Sequence, residues 1–494
     1  VWAEGRESPG NDGRLCVKGR YGWDYSRHPQ RLQRPLIRRE SAYPKGALSK
    51  DVRGEHDGRR RPGGIVDYDE VLPAFREASW DEALDLVARR LAEIRDRDGG
   101  DALAGFGSAK CSNEEAYLFQ KLIRTGLGTN NVDHCTRLCH ASSVAALMEG
   151  IGSGAVTAPF TEVANSDVIV VIGANPTENH PVAATFFKQA VKRGAKLVVM
   201  DPRGQALKRY ATHMLQFRPG RDVALLNAML NVIVTEQLYD RQFLEAHATG
   251  FEQLVEHLAA YPPEAMAAVC GIAPATIREV ARLYARARAA IVFWGMGVSQ
   301  HTHGTDNCRS LISLAMLCGQ TGRPGTGLHP LRGQNNVQGA SDAGLIPMVF
   351  PDYHSVDDPA HRHWLETLWA THDLDPTPGL TVVEIMHAMN AGTIRGMYIM
   401  GENPAMSDPD TAHARTALAR LEHLVVQDIF LTETAKFADV VLPASAWPEK
   451  SGTVTNTNRQ VQMGRPALPL PGEARADWWI IQRMARGLGL DWHY

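Results

Sequence analysis

The residues around Cys139 carry the clearest signs of chemistry in this 494-residue chain. Cys139 is followed by His140 and preceded by Arg137. Because cationic neighbours lower the pKa of a thiol, such a cysteine can act as a nucleophile or as a ligand of a soft metal. The spacing Cys135-x-x-x-Cys139, with histidines nearby, could also hold zinc, although no second ligand pair follows at zinc-finger spacing. A buried structural cysteine is the third interpretation.

A Gly-x-Asn-Pro turn occurs twice, each time after a short apolar run, and an aspartate follows each turn at nearly the same distance. The two copies are 173–176 with Asp201, and 401–404 with Asp428. A glycine at the carboxyl end of a parallel strand lets backbone N–H groups approach a phosphate, and an acidic residue after the next strand can accept ribose hydroxyls. The repeat predicts duplicated nucleotide-binding halves. Two ordinary turns between strand and helix are the alternative.

Two further glycine-rich stretches stand out. The apolar run 291–294 leads into 295–300, GMGVSQ, which departs at its last position from the dinucleotide-binding fingerprint. Because a Walker A sequence is absent as well, an ordinary NAD dehydrogenase and a P-loop NTPase are disfavoured. Residues 321–360 are rich in glycine, proline and asparagine and show no periodicity. This pattern predicts a long functional loop.

The composition is that of a folded globular protein, with 44% hydrophobic and 22% charged residues. A net charge of −3 argues against nucleic acid as the main partner. The apolar runs are far shorter than the ~20 residues that span a bilayer, so we expect no membrane span. Seven cysteines in so long a chain argue against a disulfide framework and for a reducing, cytoplasmic compartment.

The elements that must position these residues follow from periodicity. Short β-branched runs alternate with helical stretches, which predicts an α/β fold with parallel strands buried under helices. One helix should begin at Trp80, and another at Ser112, where Ser112 and Glu115 form a capping-box pattern ahead of two terminating glycines. Residues 1–65, which end in the run RRRPGG at 59–64, show no period and need something else to hold them.

Five motifs in order resemble one known family, and they lie at 130–140, 295–304, 331–342, 400–404 and 437–443. Together they are similar to the catalytic subunit of molybdenum formate dehydrogenases, which are bis-molybdopterin guanine dinucleotide oxidoreductases of the dimethyl sulfoxide reductase type. The resemblance is greatest for the large subunit of soluble NAD-dependent formate dehydrogenases. It implies a multi-domain molybdopterin oxidoreductase fold, with two related αβα nucleotide-binding domains and a small N-terminal iron–sulfur segment.

The resemblance assigns three catalytic residues. Cys139 matches the molybdenum ligand, His140 the histidine beside the metal, and Arg332 the arginine that receives the substrate. Formate is a planar anion, and an arginine fork can hold both of its oxygens. His140, with an intrinsic pKa near ~6.5, would tune or shuttle a proton. For Arg332 the structural alternative is a loop arginine that pairs with Asp342, and for His140 it is a satisfied core histidine.

The implied cofactor, Mo-bis(molybdopterin guanine dinucleotide), needs two nucleotide sites. By motif position, Asn175 and Asp201 would serve one dinucleotide, and Asp222 is a candidate for binding its guanine. The residues for the other dinucleotide are Gly401, Asn403, Gln427 and Asp428. Gly173, Gly295 and Gly297 are also expected to bind the cofactor. His301 and Gln334 are expected near the metal or the pterin.

The resemblance also explains the N-terminal segment. Cys16 matches the last of four cysteines that bind a [4Fe-4S] cluster, and Lys18 matches the lysine between cluster and pterin. A metal clip would hold a segment without its own core. The other three cysteines are absent and the chain begins at Val1, so we expect a fragment or processed chain without the cluster. A surface cysteine and lysine are the alternative, and a C-terminal cofactor-capping domain is expected beyond Tyr494.

The expected domains are a remnant of the iron–sulfur domain at 1–60, one αβα domain from 61–134 and 336–440, a second from 135–335 that supplies the metal ligand, and a returning segment at 441–494 that packs on the N-terminal domain. Each αβα domain should bind one guanine dinucleotide.

The implied function is oxidation of formate to CO2, or the reverse, with two electrons passing through iron–sulfur clusters to a flavin- and NAD-binding partner subunit. One alternative is a reductase of the same fold, such as nitrate reductase. Another is a subunit of a respiratory complex that conducts electrons without catalysis. The set of Cys139, His140 and Arg332 favours formate.

Overall fold

The computed structural model describes residues 3–46, 55–56, 59–60 and 66–494. Most of the run RRRPGG and several residues of the 1–60 segment therefore lie outside the described residues. The described strands are β1 Leu36–Arg38, β2 Glu55–His56, β3 Arg59–Arg60, β4 Phe75–Glu77, β5 Leu103–Gly107, β6 Val132–His134, β7 Val168–Ile172, β8 Lys196–Met200, β9 His213–Leu215, β10 Ala290–Trp294, β11 Gly327–Pro330, β12 Gly396–Met400, β13 His423–Asp428, β14 Val440–Pro443, β15 Gly452–Thr455 and β16 Val461–Gly464.

The described α-helices are α1 Val17–Tyr21, α2 Tyr68–Val71, α3 Trp80–Asp98, α4 Asn113–Leu122, α5 Thr136–Cys139, α6 Ala141–Ile151, α7 Pro176–Asn179, α8 Pro181–Lys192, α9 Asp222–Thr235, α10 Arg241–His247, α11 Phe251–Leu258, α12 Pro263–Cys270, α13 Pro274–Ala285, α14 Met296–Ser299, α15 Gly304–Leu317, α16 Val337–Asp342, α17 Pro359–Trp369, α18 Val382–Ala391, α19 Pro404–Ser407, α20 Thr411–Arg420 and α21 Asp477–Gly487. Across these described ranges, no helix is both long and apolar enough to cross a membrane.

The chain folds into two compact units. Unit 1 contains 1–22, 138–333 and 457–460, and unit 2 contains 23–137, 334–456 and 461–494. The changes of unit near 137 and 333 lie close to the expected boundaries at 134 and 335. Residues 23–46, expected in the iron–sulfur segment, are placed in unit 2 because β1 pairs with β14 of its sheet. The assignment of a guanine dinucleotide to each domain stays a prediction.

Unit 1 is built on a parallel five-stranded sheet in the order β11-β10-β7-β8-β9. Strand β7 is buried along its whole length, so alternate side chains enter two separate cores. Val168, Val170 and Ile172 pack with helices α6, α9, α13 and α15, while Ile169 and Val171 pack with α8. This two-sided burial is why the strand is a continuous apolar run.

Unit 2 contains a seven-stranded sheet in the order β4-β1-β14-β13-β12-β5-β6. The five strands from β14 to β6 are parallel, and β1 joins β14 in antiparallel pairing. Helices α3, α4 and α21 pack together in its main core. The predicted start of α3 at Trp80 is confirmed, with Ser79 as the cap. The capping box of Ser112 and Glu115 is also confirmed, and both of its hydrogen bonds are present.

The repeated turn occupies the same place in both sheets. Strand β7 lies between β10 and β8, and β12 lies between β5 and β13, all in parallel pairing. Gly173 and Gly401 follow these strands with φ of 56° and 69°, a left-handed conformation that favours glycine. The five parallel strands of unit 2 therefore match the sheet of unit 1 position by position.

The expectation of one long loop at 321–360 is wrong in part. Within it, Gly327–Pro330 form β11, which pairs in parallel with β10, and Val337–Asp342 form helix α16. The edge strand β11 was not predicted because its residues are rich in glycine and proline and show no periodicity. It forms through pairing with a neighbouring strand.

Candidate functional site

A cavity of about 560 Å³ opens in unit 1 where β7, β8 and β10 end. Seven of the expected cofactor-binding residues line it: Gly173, Asn175, Asp201, Asp222, Gly295, Gly297 and His301. Lys18 and His180 also line it. The carboxyl ends of parallel strands are the usual place for a ligand in an α/β sheet.

Two glycines bring the turns at this cavity into direct contact. The backbone N–H of Gly297 donates to the carbonyl oxygen of Gly173 at 3.0 Å. A Cβ atom on Gly297 would lie 2.7 Å from that same oxygen, and a Cβ atom on Gly173 would lie 2.7 Å from the carbonyl carbon of Gly297. Only glycine fits at either position, because a Cβ atom would collide with the backbone of the other turn. Both glycines line the cavity, so its wall carries no side chain at these two positions.

The two aspartates at this cavity differ in their partners. Asp201 accepts a hydrogen bond from the backbone N–H of Arg203 at 2.8 Å and another from Gln205 at 3.2 Å. Asp222, at the start of α9, is 1% exposed, and within the described part of the chain neither of its carboxylate oxygens has a hydrogen-bond partner. Burial raises the pKa of Asp222, while His301 and His303 oppose the rise. A buried carboxylate in this state is ready to accept hydrogen bonds from a ligand.

Asp222, His301 and His303 offer ligand atoms that all lie within 4.8 Å of one another. In the part of the chain that the structure describes, this is the only such group of histidine, cysteine and carboxylate side chains. The predicted zinc alternative at Cys135 and Cys139 therefore does not appear among the described clusters.

Cys139 ends helix α5 and is 8% exposed. Burial raises the pKa of its thiol to about 11, and the Arg332 guanidinium and the backbone N–H of Gly333 oppose the rise. The expectation of a lowered pKa beside Arg137 is wrong, because burial of the thiol outweighs its cationic surroundings. The Arg137 guanidinium donates instead to Asp133 at 2.8 Å. The cation that acts on Cys139 comes from a residue almost two hundred positions away in the sequence.

His140 is fully buried, and both of its ring nitrogens have partners. Nε2 lies 3.2 Å from the carbonyl oxygen of Leu331, which can only accept, so Nε2 carries the proton. Nδ1 then accepts from the Ser143 hydroxyl at 3.1 Å. Burial, with a smaller contribution from the Arg332 charge, lowers the pKa of His140 to about 3, so the ring is neutral. These contacts match the satisfied core histidine more closely than a shuttle that titrates near pH 6.5.

Arg332 is 3% exposed and is held at both its main chain and its side chain. Its carbonyl oxygen accepts a hydrogen bond from His180 Nε2 at 2.6 Å. Its guanidinium donates through Nη2 to the carbonyl oxygen of Gly154 at 2.5 Å. Two histidines thus hold consecutive carbonyl groups, those of Leu331 and Arg332.

The N-terminal residues of unit 1 contribute one wall of the cavity. Cys16 is half-buried and precedes α1, and Lys18 lies within that helix. The Lys18 ammonium donates to the carbonyl oxygen of Asn179 at 3.3 Å. Lys18 also lines the same cavity as Gly173. Its expected place between cluster and pterin stays a prediction.

A second cavity of about 360 Å³ lies within unit 2 and is lined by Gly401, Gln427 and Asp428 among others. Burial raises the pKa of Asp428 to about 7. Asn403 is not part of this wall; its side chain instead accepts from Thr434 and donates to Glu433. Gln334 is half-buried and lines neither cavity. The two copies of the repeated turn thus share a backbone conformation, but Asn175 lines a cavity and Asn403 does not.

Three residues around the catalytic set escaped the sequence analysis. Ser143 contacts His140, Ser299 donates to the carbonyl oxygen of Cys139 at 3.0 Å, and His180 holds Arg332. Ser143 lies one helical turn after His140, and Ser299 lies inside the GMGVSQ stretch, so both had a local signal. His180 had only its closeness to the first nucleotide turn.

Comparison with known proteins identifies a matching family. A sequence profile of the family described as Molybdopterin oxidoreductase matches residues 31–486.

Two relatives are formate dehydrogenases by name. Over 484 residues the chain is 43% identical to the F420-dependent formate dehydrogenase subunit alpha of Methanocaldococcus jannaschii, and the match covers 98% of this chain. Over 499 residues it is 39% identical to formate dehydrogenase H of Escherichia coli, and the match covers 100% of this chain. In both cases the chain spans 66% of the relative's length. These relatives confirm the resemblance to formate dehydrogenase catalytic subunits.

Among solved structures, acetylene hydratase from Pelobacter acetylenicus matches with a TM-score of 0.77 at 22% identity. The match covers 98% of this chain and 65% of that one. Together with the family profile, this likeness confirms the α/β fold class that the resemblance implied.

Proposed function

Because this chain belongs to the molybdopterin oxidoreductase family, we propose that it is the catalytic part of a formate dehydrogenase. The observation that carries the proposal is the set of Cys139, His140 and Arg332 in one buried region of unit 1, with the Arg332 charge acting on the Cys139 thiol. Relatives named as formate dehydrogenases support formate as the substrate.

The cavity of unit 1 fits a guanine dinucleotide of the cofactor. Gly173 and Gly297 line the cavity without side chains, which suits the close approach of phosphates to their backbone. The two unpartnered oxygens of Asp222 suit the adjacent N–H donors of a guanine edge. We assign Asn175, Asp201, Gly295 and His301 to the same dinucleotide, and Gly401, Gln427 and Asp428 to the second. We assign to Asn403 the support of its turn, through its contacts with Thr434 and Glu433. For Gln334 we retain the expected place near the pterin.

Bound through Cys139, the molybdenum centre with its pterins supplies an acceptor for the two electrons of formate. Arg332 binds the formate carboxylate with its guanidinium fork, and the bond to Gly154 fixes the direction of that fork. His140 keeps its proton on Nε2 and holds the Leu331 carbonyl, so the chain entering Arg332 cannot shift. All three side chains are buried, which limits the access of water to them. The overall reaction releases CO2, one proton and two electrons per formate.

For the electrons, we propose a route past Lys18 to a [4Fe-4S] cluster that Cys16 helps to bind in the full-length protein. Partner subunits then receive them, and a flavin subunit that reduces NAD+ is our first candidate. F420 is the second, because three relatives carry "F420-dependent" in their names. Seven cysteines in so long a chain support a reducing, cytoplasmic setting.

The test uses the full-length protein from a host that makes the cofactor. We expect molybdenum and guanine nucleotide in the purified protein, and formate-dependent reduction of a viologen dye. Cys139→Ala should abolish that reduction, while Cys318→Ala, which removes a buried thiol of the same unit, should retain it. Molybdenum without formate oxidation, but with nitrate reduction by reduced viologen, would select the nitrate reductase alternative. A protein without molybdenum in this host would select the electron-conduit alternative.

A further inference from the structure

The two ring nitrogens of His180 differ in their hydrogen bonding. It lies between helices α7 and α8 and lines the cavity of unit 1. Its Nε2 donates to the carbonyl oxygen of Arg332 at 2.6 Å, which places the ring proton on Nε2 because a carbonyl oxygen only accepts. Nδ1 is therefore an acceptor, and it is screened from solvent with no hydrogen-bond partner among the described residues.

A buried acceptor without a partner costs free energy, so its persistence at a ligand cavity indicates a donor on the ligand. The groups around the ring support this. Lys18 lines the same cavity, but its ammonium donates to the carbonyl oxygen of Asn179, the residue before His180. Gly333, which follows Arg332, lines the cavity too. The ring thus stands between the main chain of the substrate arginine and the space that the cofactor would fill.

We infer that His180 is a positioning residue that joins the cofactor to Arg332: Nδ1 accepts a hydrogen bond from an N–H group of the bound pterin dinucleotide, and Nε2–H fixes the Arg332 main chain. The inference rests on the proposed function for its substrate and cofactor. It assigns one side chain two separable tasks, retention of the cofactor and orientation of the formate-binding arginine. Burial lowers the pKa of His180, which keeps the ring neutral for both tasks.

Two variants separate the tasks. In His180→Gln, the amide can place an N–H near the position of Nε2, so the bond to Arg332 is retained while the Nδ1 acceptor is lost. In His180→Asn, the amide can place an oxygen near the position of Nδ1, so the acceptor is retained while the bond to Arg332 is lost. His213, in strand β9 of the same unit, lines no part of the cavity, and His213→Gln and His213→Asn are the matched controls.

The full-length protein is purified from a cofactor-competent host, and two quantities are measured for each variant. The first is molybdenum and guanine nucleotide per chain, which needs no activity. The second is KM for formate per loaded molybdenum centre. We expect His180→Gln to lose cofactor with a small change in KM. We expect His180→Asn to keep its cofactor with KM raised about tenfold, the equivalent of one lost hydrogen bond.

The crossed pattern distinguishes positioning from a merely structural role, which would move both quantities together in both variants. Variants that match the wild-type protein in both quantities, or that fall together in both, overturn the inference. If the loaded wild-type protein oxidises no formate, the proposed function fails. In that case the cofactor content of His180→Gln against His180→Asn still decides whether Nδ1 holds the cofactor, and equal contents overturn that assignment.

Discussion

The Nε2 atom of His140 lies 3.2 Å from the carbonyl oxygen of Leu331, so the histidine next to Cys139 holds the chain that enters Arg332. The two residues are 191 positions apart in the sequence. His140→Ala should therefore misplace Arg332 and lower kcat/KM for formate by about tenfold or more. His140→Gln, which can restore an N–H toward Leu331, should recover part of the loss. Equal activities for Ala and Gln variants would show that this hydrogen bond does not matter.

Arg332 should act in formate capture. Arg332→Ala removes a charge-assisted fork, and we expect kcat/KM for formate to fall at least about 100-fold with unchanged molybdenum content. Arg332→Lys keeps the charge but not the fork, so it should recover only a small part. Steady-state kinetics with a dye acceptor measure both. An unchanged kcat/KM in Arg332→Ala would remove this residue from its assigned role.

Lys18 should act in electron transfer and not in the chemistry of formate. Its ammonium borders the cofactor cavity, and its alkyl chain and charge are absent in Lys18→Ala. We expect slower reduction of an external acceptor and a nearly normal rate of metal reduction by formate, measured by rapid mixing. Lys192→Ala, an exposed lysine of the same unit, is the control. Equal slowing of both steps would contradict the electron-transfer role.

The variant Asp222→Asn should stabilise the cofactor-free chain but weaken retention of the cofactor. Its buried carboxylate lacks partners, so Asp222→Asn should raise the thermal unfolding midpoint of the cofactor-free chain by about 2 °C, or about 1 kcal/mol. The same variant should lower the guanine nucleotide content of the loaded protein. Asp201→Asn is the control, because Asp201 already accepts two hydrogen bonds and its loss should destabilise the chain. A cofactor-free Asp222→Asn protein less stable than wild type would contradict the prediction.

His329 should make the chain sensitive to acid. The ring is fully buried, Nδ1–H donates to the carbonyl oxygen of Ala158 at 2.7 Å, and burial lowers the pKa of His329 to about 3. The unfolded chain, with a pKa near ~6.5, then binds more protons between about pH 6.5 and 3. The stability that this neutral histidine contributes is therefore complete above pH 6.5 and is lost as the pH falls.

His329→Asn can keep the bond to Ala158 without a titrating ring. We expect the unfolding free energy of the variant to fall less steeply than that of the wild-type protein between pH 6.5 and 4. Chemical denaturation at several pH values measures both slopes. Asp428 has a raised pKa and acts in the opposite direction with rising pH, but it is common to both proteins and cancels in the comparison. Parallel slopes would show that His329 does not carry this dependence.

The sequence by itself determined the features that a few neighbouring residues encode. The capping box of Ser112 and Glu115, the buried strand 168–172 and the two left-handed glycines after matching strands all follow from local propensity and turn geometry. The same local patterns identified seven cofactor-binding candidates that line one cavity, because the ends of parallel strands meet at one edge of a sheet.

Only the tertiary structure decided which groups face one another. The cation that acts on Cys139 is Arg332 and not Arg137, and Asn403 contacts Glu433 and does not line the second cavity. Strand β11 forms because it pairs with β10, and His180 forms a hydrogen bond with Arg332. The tertiary structure also left His140 neutral, because burial penalises the charged form of a side chain and sequence neighbours do not reveal burial. Contacts between distant residues and the loss of water around a group arise only when the chain folds, and these set the charge and direction of each side chain in the site.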